Sequence, residues 1–110
     1  MKVRLFAALA VACAAASAQT VCPPTQEFTP CELVFDVPGA PTDKPLDLQA
    51  EFRSPKSNTF LARAFWDGGS RWVIRYTPAE AGRHAYRLTG TAAGFAGKQG
   101  EITATDNPSH

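Results

Sequence analysis

Carboxylates are the most numerous side chains in this sequence that could do acid–base chemistry. The chain of 110 residues has ten Asp and Glu residues. Asp47 and Glu51 fall on the same polar face of a predicted strand, but their four-residue offset places them about 13 Å apart at ~3.3 Å per residue. Paired catalytic carboxylates are roughly 5–9.5 Å apart. Asp67 fits a turn and Glu80 a loop, so the acids predict no catalytic pair.

Histidine and cysteine offer no other site. The two histidines are His84 and His110, and no spacing of His and Cys matches a zinc cluster. The sequence contains no Gly-rich phosphate loop and no Ser in a nucleophile elbow. We therefore expect no catalytic residue, no metal and no cofactor, and predict that the chain is not an enzyme.

The first residues form a predicted signal peptide, residues 1–18. A basic start is followed by an almost unbroken apolar run, Leu5 to Ala16, and Ala16-Ser17-Ala18 is a small-x-small cleavage site. The run is shorter than the roughly 20 residues that span a bilayer. We expect export to the periplasm or the extracellular space. A lipoprotein anchored through Cys13 is the alternative.

Cleavage changes the charge and the cysteine count. The segment carries two of the eleven basic residues, so nine basic residues remain against ten acidic ones. This balance excludes a basic footprint for nucleic acid and a polybasic patch for membranes. Cys22 and Cys31 remain as an even pair, which would close a short loop in an oxidising compartment. Two free thiols are the alternative.

Apolar residues recur with a period of two after residue 31. The clearest case places Leu46, Leu48, Ala50 and Phe52 on one face of a strand and polar or charged residues on the other. Pro- and Gly-rich turns separate such segments, and no helical face of three turns occurs. Residues 60–66 are apolar on both faces except at Arg63, so periodicity leaves their register open.

This pattern predicts an all-β antiparallel sandwich over residues 31–105, although a small closed barrel would give similar spacing. Residues 19–30 contain three prolines and are predicted to form an extended lead-in, and 106–110 the start of a linker. The expected core contains Phe35, Leu48, Phe52, Trp72, Ile74, Tyr76 and Tyr86.

Three motifs follow one another between residues 65 and 86. An aromatic-Asp-Gly turn (66–68) precedes a Trp-Val-Ile-Arg strand (72–75), and a Pro-x-x-x-Gly-x-aromatic-x-Tyr segment (78–86) comes next. Their order resembles the immunoglobulin-like N-terminal domain of unassigned function that precedes the catalytic barrel in many bacterial glycoside hydrolases. The resemblance covers roughly residues 27–105. One departure is His84, where that family usually has Trp.

The resemblance implies an immunoglobulin-like sandwich of about seven strands and a non-catalytic accessory role. The module would dock on or shape a glycoside hydrolase barrel, in the same chain or in a separate one. An independent carbohydrate-binding module, with polysaccharide as ligand, is the alternative. We expect no nucleic acid partner and no membrane contact after signal cleavage. Family members continue into a barrel, so we expect a truncated or split product or a free-standing copy.

Surface contacts to a barrel or a carbohydrate are predicted around the turn at 67–70. The candidates are Trp66, Asp67, Arg71 and Arg75, because Arg is enriched at interfaces and an aromatic at a hairpin tip can stack on a sugar ring. A solvated face is the simpler interpretation of the arginines, and a core position the favoured one for Trp66. Phe95 is the other aromatic placed near a loop.

Overall fold

The computed structural model describes residues 18–20, 22–92 and 94–108. The predicted signal peptide, apart from its last residue, lies outside the described residues, as do Cys13 and His110. Nine strands are described: Ala18–Thr20 (β1), Thr25–Gln26 (β2), Cys31–Asp36 (β3), Gln49–Arg53 (β4), Thr59–Arg63 (β5), Phe65–Trp66 (β6), Arg71–Tyr76 (β7), Gly82–Thr89 (β8) and Gln99–Thr105 (β9).

The strands form two sheets that face each other across one core. The first sheet has the order β1-β3-β7-β6 and the second the order β2-β9-β8-β4-β5. Every pairing is antiparallel except that of β2 with β9, which is parallel. The predicted sandwich is therefore confirmed. The nine described strands exceed the expected seven because two further strands precede β3: β1, which begins at Ala18, and β2, which lies in the lead-in.

The core follows the period of two that the sequence shows. Along β8, His84, Tyr86 and Leu88 are buried while the residues between them are exposed. All seven side chains expected in the core are buried. The rings of Phe52 and Tyr76 stack at 4.0 Å across the two sheets, so they join the sandwich layers directly.

Strand β7 departs from simple alternation at Val73. This residue belongs to the outward set with Arg71 and Arg75, yet it is fully buried. It pairs in register with Val34 on one side and Phe65 on the other, so apolar neighbours cover it on the outer face of the first sheet.

The segment that periodicity left open changes sheet. Strand β5 is the edge of the second sheet, β6 is the edge of the first, and Ala64 between them is buried. The amide of Ala64 donates to the carbonyl of Leu48 at 2.9 Å, which holds the crossing point against β4. Both faces of this segment are apolar because its first part pairs in the second sheet and its last part pairs in the first.

The lead-in is fastened to both sheets. A disulfide joins Cys22 to Cys31 of β3 in the first sheet, with 5.8 Å between their Cα atoms, and the loop it closes contains β2 of the second sheet. Glu27 lies beyond β2, where its carboxylate accepts the amide of Asn107 at 3.1 Å and its carbonyl accepts the Asn107 side chain at 3.0 Å. The first residues of the expected linker are therefore tied to the lead-in.

Candidate functional site

Exposed apolar side chains concentrate at one edge of the sandwich. Phe60 and Leu61 of β5 are 45% and 67% exposed, and Phe65 and Trp66 of β6 are 38% and 47% exposed. The two strands are consecutive and form the same edge of the two sheets. We call these four side chains the β5–β6 edge.

Trp66 is exposed rather than in the core, so the favoured sequence interpretation is wrong. Its register partner is the buried Trp72, but β6 is an edge strand with no neighbour on its other side among the described strands. The indole Nε1 donates to the carbonyl of Gly69 at 2.9 Å, which fixes the ring beside the turn. The alternative placement, at the hairpin tip, is the one observed.

The other three predicted contact residues lie around the same hairpin but are engaged in ion pairs. Arg71 meets Asp67 at 2.7 Å and Arg75 meets Glu32 at 2.6 Å, all partly exposed. The Arg75 guanidinium also lies 5.2 Å from the centre of the Phe65 ring. The structure thus brings Trp66, Asp67 and Arg71 together at the turn, whereas Arg75 covers an aromatic face.

Phe95 is not available as a surface aromatic. It is 2% exposed and its ring meets Phe35 edge-on at 5.1 Å. The loop between β8 and β9 folds back over the core, since Gly97 donates to the carbonyl of Leu88 at 2.7 Å. Phe95 lies in a loop, as its placement in the sequence indicates, but a loop can supply a core residue when it is hydrogen-bonded to the strands that it connects.

Carboxylates in the described part of the chain mostly serve structure. Asp47 accepts the hydroxyl of Thr91 at 2.8 Å and its amide at 3.1 Å, and Gln49 donates to the other oxygen at 3.2 Å. The Thr91 hydroxyl, followed by Gln49 and the Thr91 amide, lowers the pKa of Asp47 below its usual value. Glu80 holds the turn after β4, accepting the Lys56 amide at 2.9 Å. Both carboxylates therefore hold loops in place through hydrogen bonds.

His84 is a fully buried member of a hydrogen-bonded chain. Its Nε2 lies 2.8 Å from the carbonyl of Glu80, which can only accept, so Nε2 carries the proton. Its Nδ1 then accepts the Tyr76 hydroxyl at 2.8 Å. Burial, followed by the Glu80 charge, raises the pKa of Tyr76 and keeps it a donor. His84, which stands where the resembled domain usually has Trp, therefore joins β8, β7 and the loop between them.

An open groove of about 330 Å³ lies on the outer face of the second sheet. It is lined by Glu51, Arg53, Ala85, Tyr86, Arg87 and Gln99. Arg87 and Glu51 are 3.6 Å apart across it. Four of its six lining residues are charged or carry an amide, and the aromatic residue among them, Tyr86, is turned inward and buried.

Within residues 18–20, 22–92 and 94–108, no three His, Cys, Asp or Glu side chains are grouped so as to hold a metal ion. In the same part of the chain no helix is long and apolar enough to cross a membrane.

Solved structures share this fold. A candidate glycoside hydrolase from Bacteroides vulgatus ATCC 8482 is 27% identical with a TM-score of 0.66, over 76% of this chain and 16% of that chain. This chain therefore corresponds to about a sixth of that protein. The Lin-41 filamin domain matches with a TM-score of 0.55 at 17% identity, over 82% of this chain and 94% of that one. The second likeness shows the fold alone, an immunoglobulin-like β-sandwich.

Comparison of the sequence with known families gives one match. No curated protein is similar at a significant level. The model of a domain of unknown function, DUF5060, matches residues 24–91, which run from the lead-in through β8 and include the β5–β6 edge. Because this match spans more than half of the sequence, the chain belongs to the DUF5060 family.

Proposed function

We propose that this chain is the non-catalytic accessory module of an exported glycoside hydrolase, and that it docks on or shapes the catalytic barrel. The observation that carries this proposal is the likeness to the Bacteroides vulgatus protein. That likeness extends over 76% of this chain but 16% of that one, so most of that candidate glycoside hydrolase lies outside the shared domain.

The side chains support a role without chemistry of its own. Asp47 and Glu80 hold loops, Asp67 is paired with Arg71, and the buried His84 is hydrogen-bonded on both ring nitrogens. An accessory domain needs a contact surface instead, and the β5–β6 edge is an apolar one.

Export is part of the proposal. The sequence of residues 1–18 predicts a signal peptide, and the disulfide between Cys22 and Cys31 is of the kind that persists in oxidising compartments. N-terminal sequencing of the protein from culture fluid or periplasm should begin at Gln19. A protein retained in the cytoplasm with Met1 intact would contradict export.

The accessory role is tested on the protein as its source organism makes it. A tag inserted after Lys44, in the exposed loop between β3 and β4, allows purification from the exported fraction and mass determination of everything attached. We expect a glycoside hydrolase catalytic domain, either in the same polypeptide or as a bound chain. A stoichiometric preparation with neither would overturn the proposal.

A carbohydrate-binding module is the second candidate, favoured by the groove over Ala85 and by the exposed ring of Trp66. Retention of the protein on insoluble polysaccharides, lost on Trp66→Ala or on Arg53→Ala, would support it. Arg83→Ala is the matched control on the same sheet face. No retention on any of a broad panel would rule it out.

A further inference from the structure

The β5–β6 edge is large enough to be a contact surface. Its four side chains are 45%, 67%, 38% and 47% exposed, and at ~200 Å² per large side chain they present about 400 Å² of apolar surface. This surface wraps around the edge, because Leu61 lies on the outer face of the second sheet and Phe65 on that of the first. The largest apolar patch of a monomer is typically ~300–600 Å² and is often functional. Leu61, the most exposed of the four, has no core role to explain it.

The edge fits a protein partner better than a sugar. Sugars stack on free aromatic faces, but the Phe65 ring is covered by the guanidinium of Arg75, 5.2 Å from its centre. The Phe60 ring leans on Tyr76, with 6.1 Å between ring centres. Trp66 alone cannot form a row of stacking platforms, whereas a mixed Phe, Leu and Trp surface is typical of an interface core.

A second copy of this chain is a poor occupant. Two such edges would bury about 800 Å² in total, below the ~1,200–2,000 Å² of stable complexes. A tethered partner needs less area, because a linker raises the effective concentration to roughly the millimolar range. Interfaces between domains of one chain begin at about 600 Å².

The charges beside the edge define the partner further. Arg63 follows Leu61 by two residues on the same strand face, and Arg53 lies on the neighbouring strand β4. Neither has a described carboxylate within 4 Å, unlike Arg71, Arg75, Arg83 and Arg87, although the charge of Arg63 acts on Asp47 over a longer distance. In a symmetric pair of copies these arginines would approach one another and repel, but an acidic rim on another domain would pair with them.

We propose that the β5–β6 edge, together with the border of the second sheet's outer face beside it, docks the catalytic domain, and that the docked surface of that domain is apolar with an acidic rim. This inference rests on the accessory function proposed above. It adds the docking residues, Phe60, Leu61, Phe65 and Trp66, and assigns Arg53 and Arg63 to the rim.

The test uses hydroxyl-radical oxidation of Trp66 and Trp72 in the intact exported protein. Trp72 is 2% exposed in the domain and Trp66 is 47% exposed, so Trp72 is an internal standard for a protected ring. Docking at the edge should make the two rings oxidise at similar rates. Oxidation of Trp66 in excess of Trp72 by a ratio near that of the exposed fractions would overturn the inference.

A paired variant locates the contact. Leu61→Ser combined with Arg63→Glu leaves Trp66 in place as the reporter and should restore its oxidation, since loss of an interface anchor weakens docking by about 30-fold. Arg83→Glu, two strands away on the outer face, should leave Trp66 protected. Continued protection of Trp72 shows that each variant is folded. A protected Trp66 in the paired variant would refute the inference.

The two proposals fail in different ways. If mass determination finds no glycoside hydrolase domain with this chain, the accessory function is wrong and the docking inference falls with it. If that domain is present and Trp66 is nevertheless oxidised as an exposed ring, the accessory function stands and the docking surface is elsewhere.

Discussion

Replacing Gly100 with alanine should destabilise the domain through one identifiable collision. Gly100 pairs in register with Tyr86 across β8 and β9, and the Tyr86 ring crosses directly over it. A methyl group at this position would lie 2.5 Å from Cζ and 2.8 Å from Cε2 of that ring. The ring has little room to withdraw, because Tyr86 is 4% exposed and packs 5.8 Å from the ring of Phe52.

Two opposing effects determine how much free energy of unfolding the Gly100→Ala variant loses. Forcing an extra methyl into a packed core costs about 1–3 kcal/mol. Removing a glycine from a position with a permissive backbone gains about 0.4–1 kcal/mol through the unfolded chain. Gly100 has no positive φ, so this gain applies. We expect a net loss of about 1–2 kcal/mol, which for a domain of this size lowers Tm by roughly 5–10 °C.

Urea unfolding followed by tryptophan fluorescence measures the effect, and a double-mutant cycle assigns its cause. In a Tyr86→Leu background the collision is absent, so Gly100→Ala should become neutral or stabilising by up to about 1 kcal/mol. The reasoning is refuted if the alanine costs the same in both backgrounds, since the loss would then come from the backbone of β9 and not from the ring.

Three further perturbations test other parts of the structure. Cys22→Ser opens a loop with a sequence separation of 9, and should cost about 2.6 kcal/mol by chain entropy; an unchanged urea midpoint under oxidising conditions would contradict it. His84→Phe strands the Tyr76 hydroxyl and should cost about 1–3 kcal/mol, less in a Tyr76→Phe background; equal costs would show that packing dominates. The pKa of Asp47 is lowered on folding from its usual 3.8, so its stabilising effect is present above that pH and lost as the pH falls through the lowered pKa. Asp47→Asn should therefore reduce the loss of stability between pH 6 and pH 3, and an unchanged pH dependence would argue against the Thr91 hydrogen bonds as its source.

The sequence predicts the strands of the sandwich where one face of a strand is apolar and the other is polar. From Leu48 to Phe52 and from His84 to Leu88, inward and outward residues differ in polarity, so period two determines both the strand and its orientation. The pairing of Cys22 with Cys31 agrees with the count of cysteines, because these are the two that remain after the predicted cleavage.

Periodicity does not predict burial where contacts between distant strands determine it. Residues 60–66 cross between sheets, so their two apolar faces reflect two partners rather than one buried strand. Val73 is covered by Phe65 from β6, and no local sequence pattern predicts that these two residues are neighbours. The exposure of Trp66 is likewise a property of an edge position. A ring that would be core in a central strand is left open when the sheet ends beside it, and sequence alone does not say where a sheet ends.

The parallel pairing of β2 with β9 was also beyond local pattern, since it joins residues about eighty positions apart, as in the contact of Thr105 with Thr25. It needs neither a turn nor a repeat that a sequence would display. The sequence did indicate that three prolines keep this segment extended and outside a central strand, and β2 is an edge strand.

The disulfide loop also determines how the domain would respond to mechanical force. A pull on the chain ahead of Cys22 loads the pairing of β1 with β3 first, and then passes through the sulfur bridge into Cys31, so that it bypasses β2. A pull beyond Asn107 enters β9 in the second sheet and draws on the hydrogen bonds of Asn107 to Glu27. Tension between the two ends is thus carried from one sheet to the other, through the core and the covalently closed loop. Reduction of the bridge would redirect that tension onto the two-residue strand β2, and the extension force at which the domain gives way should fall.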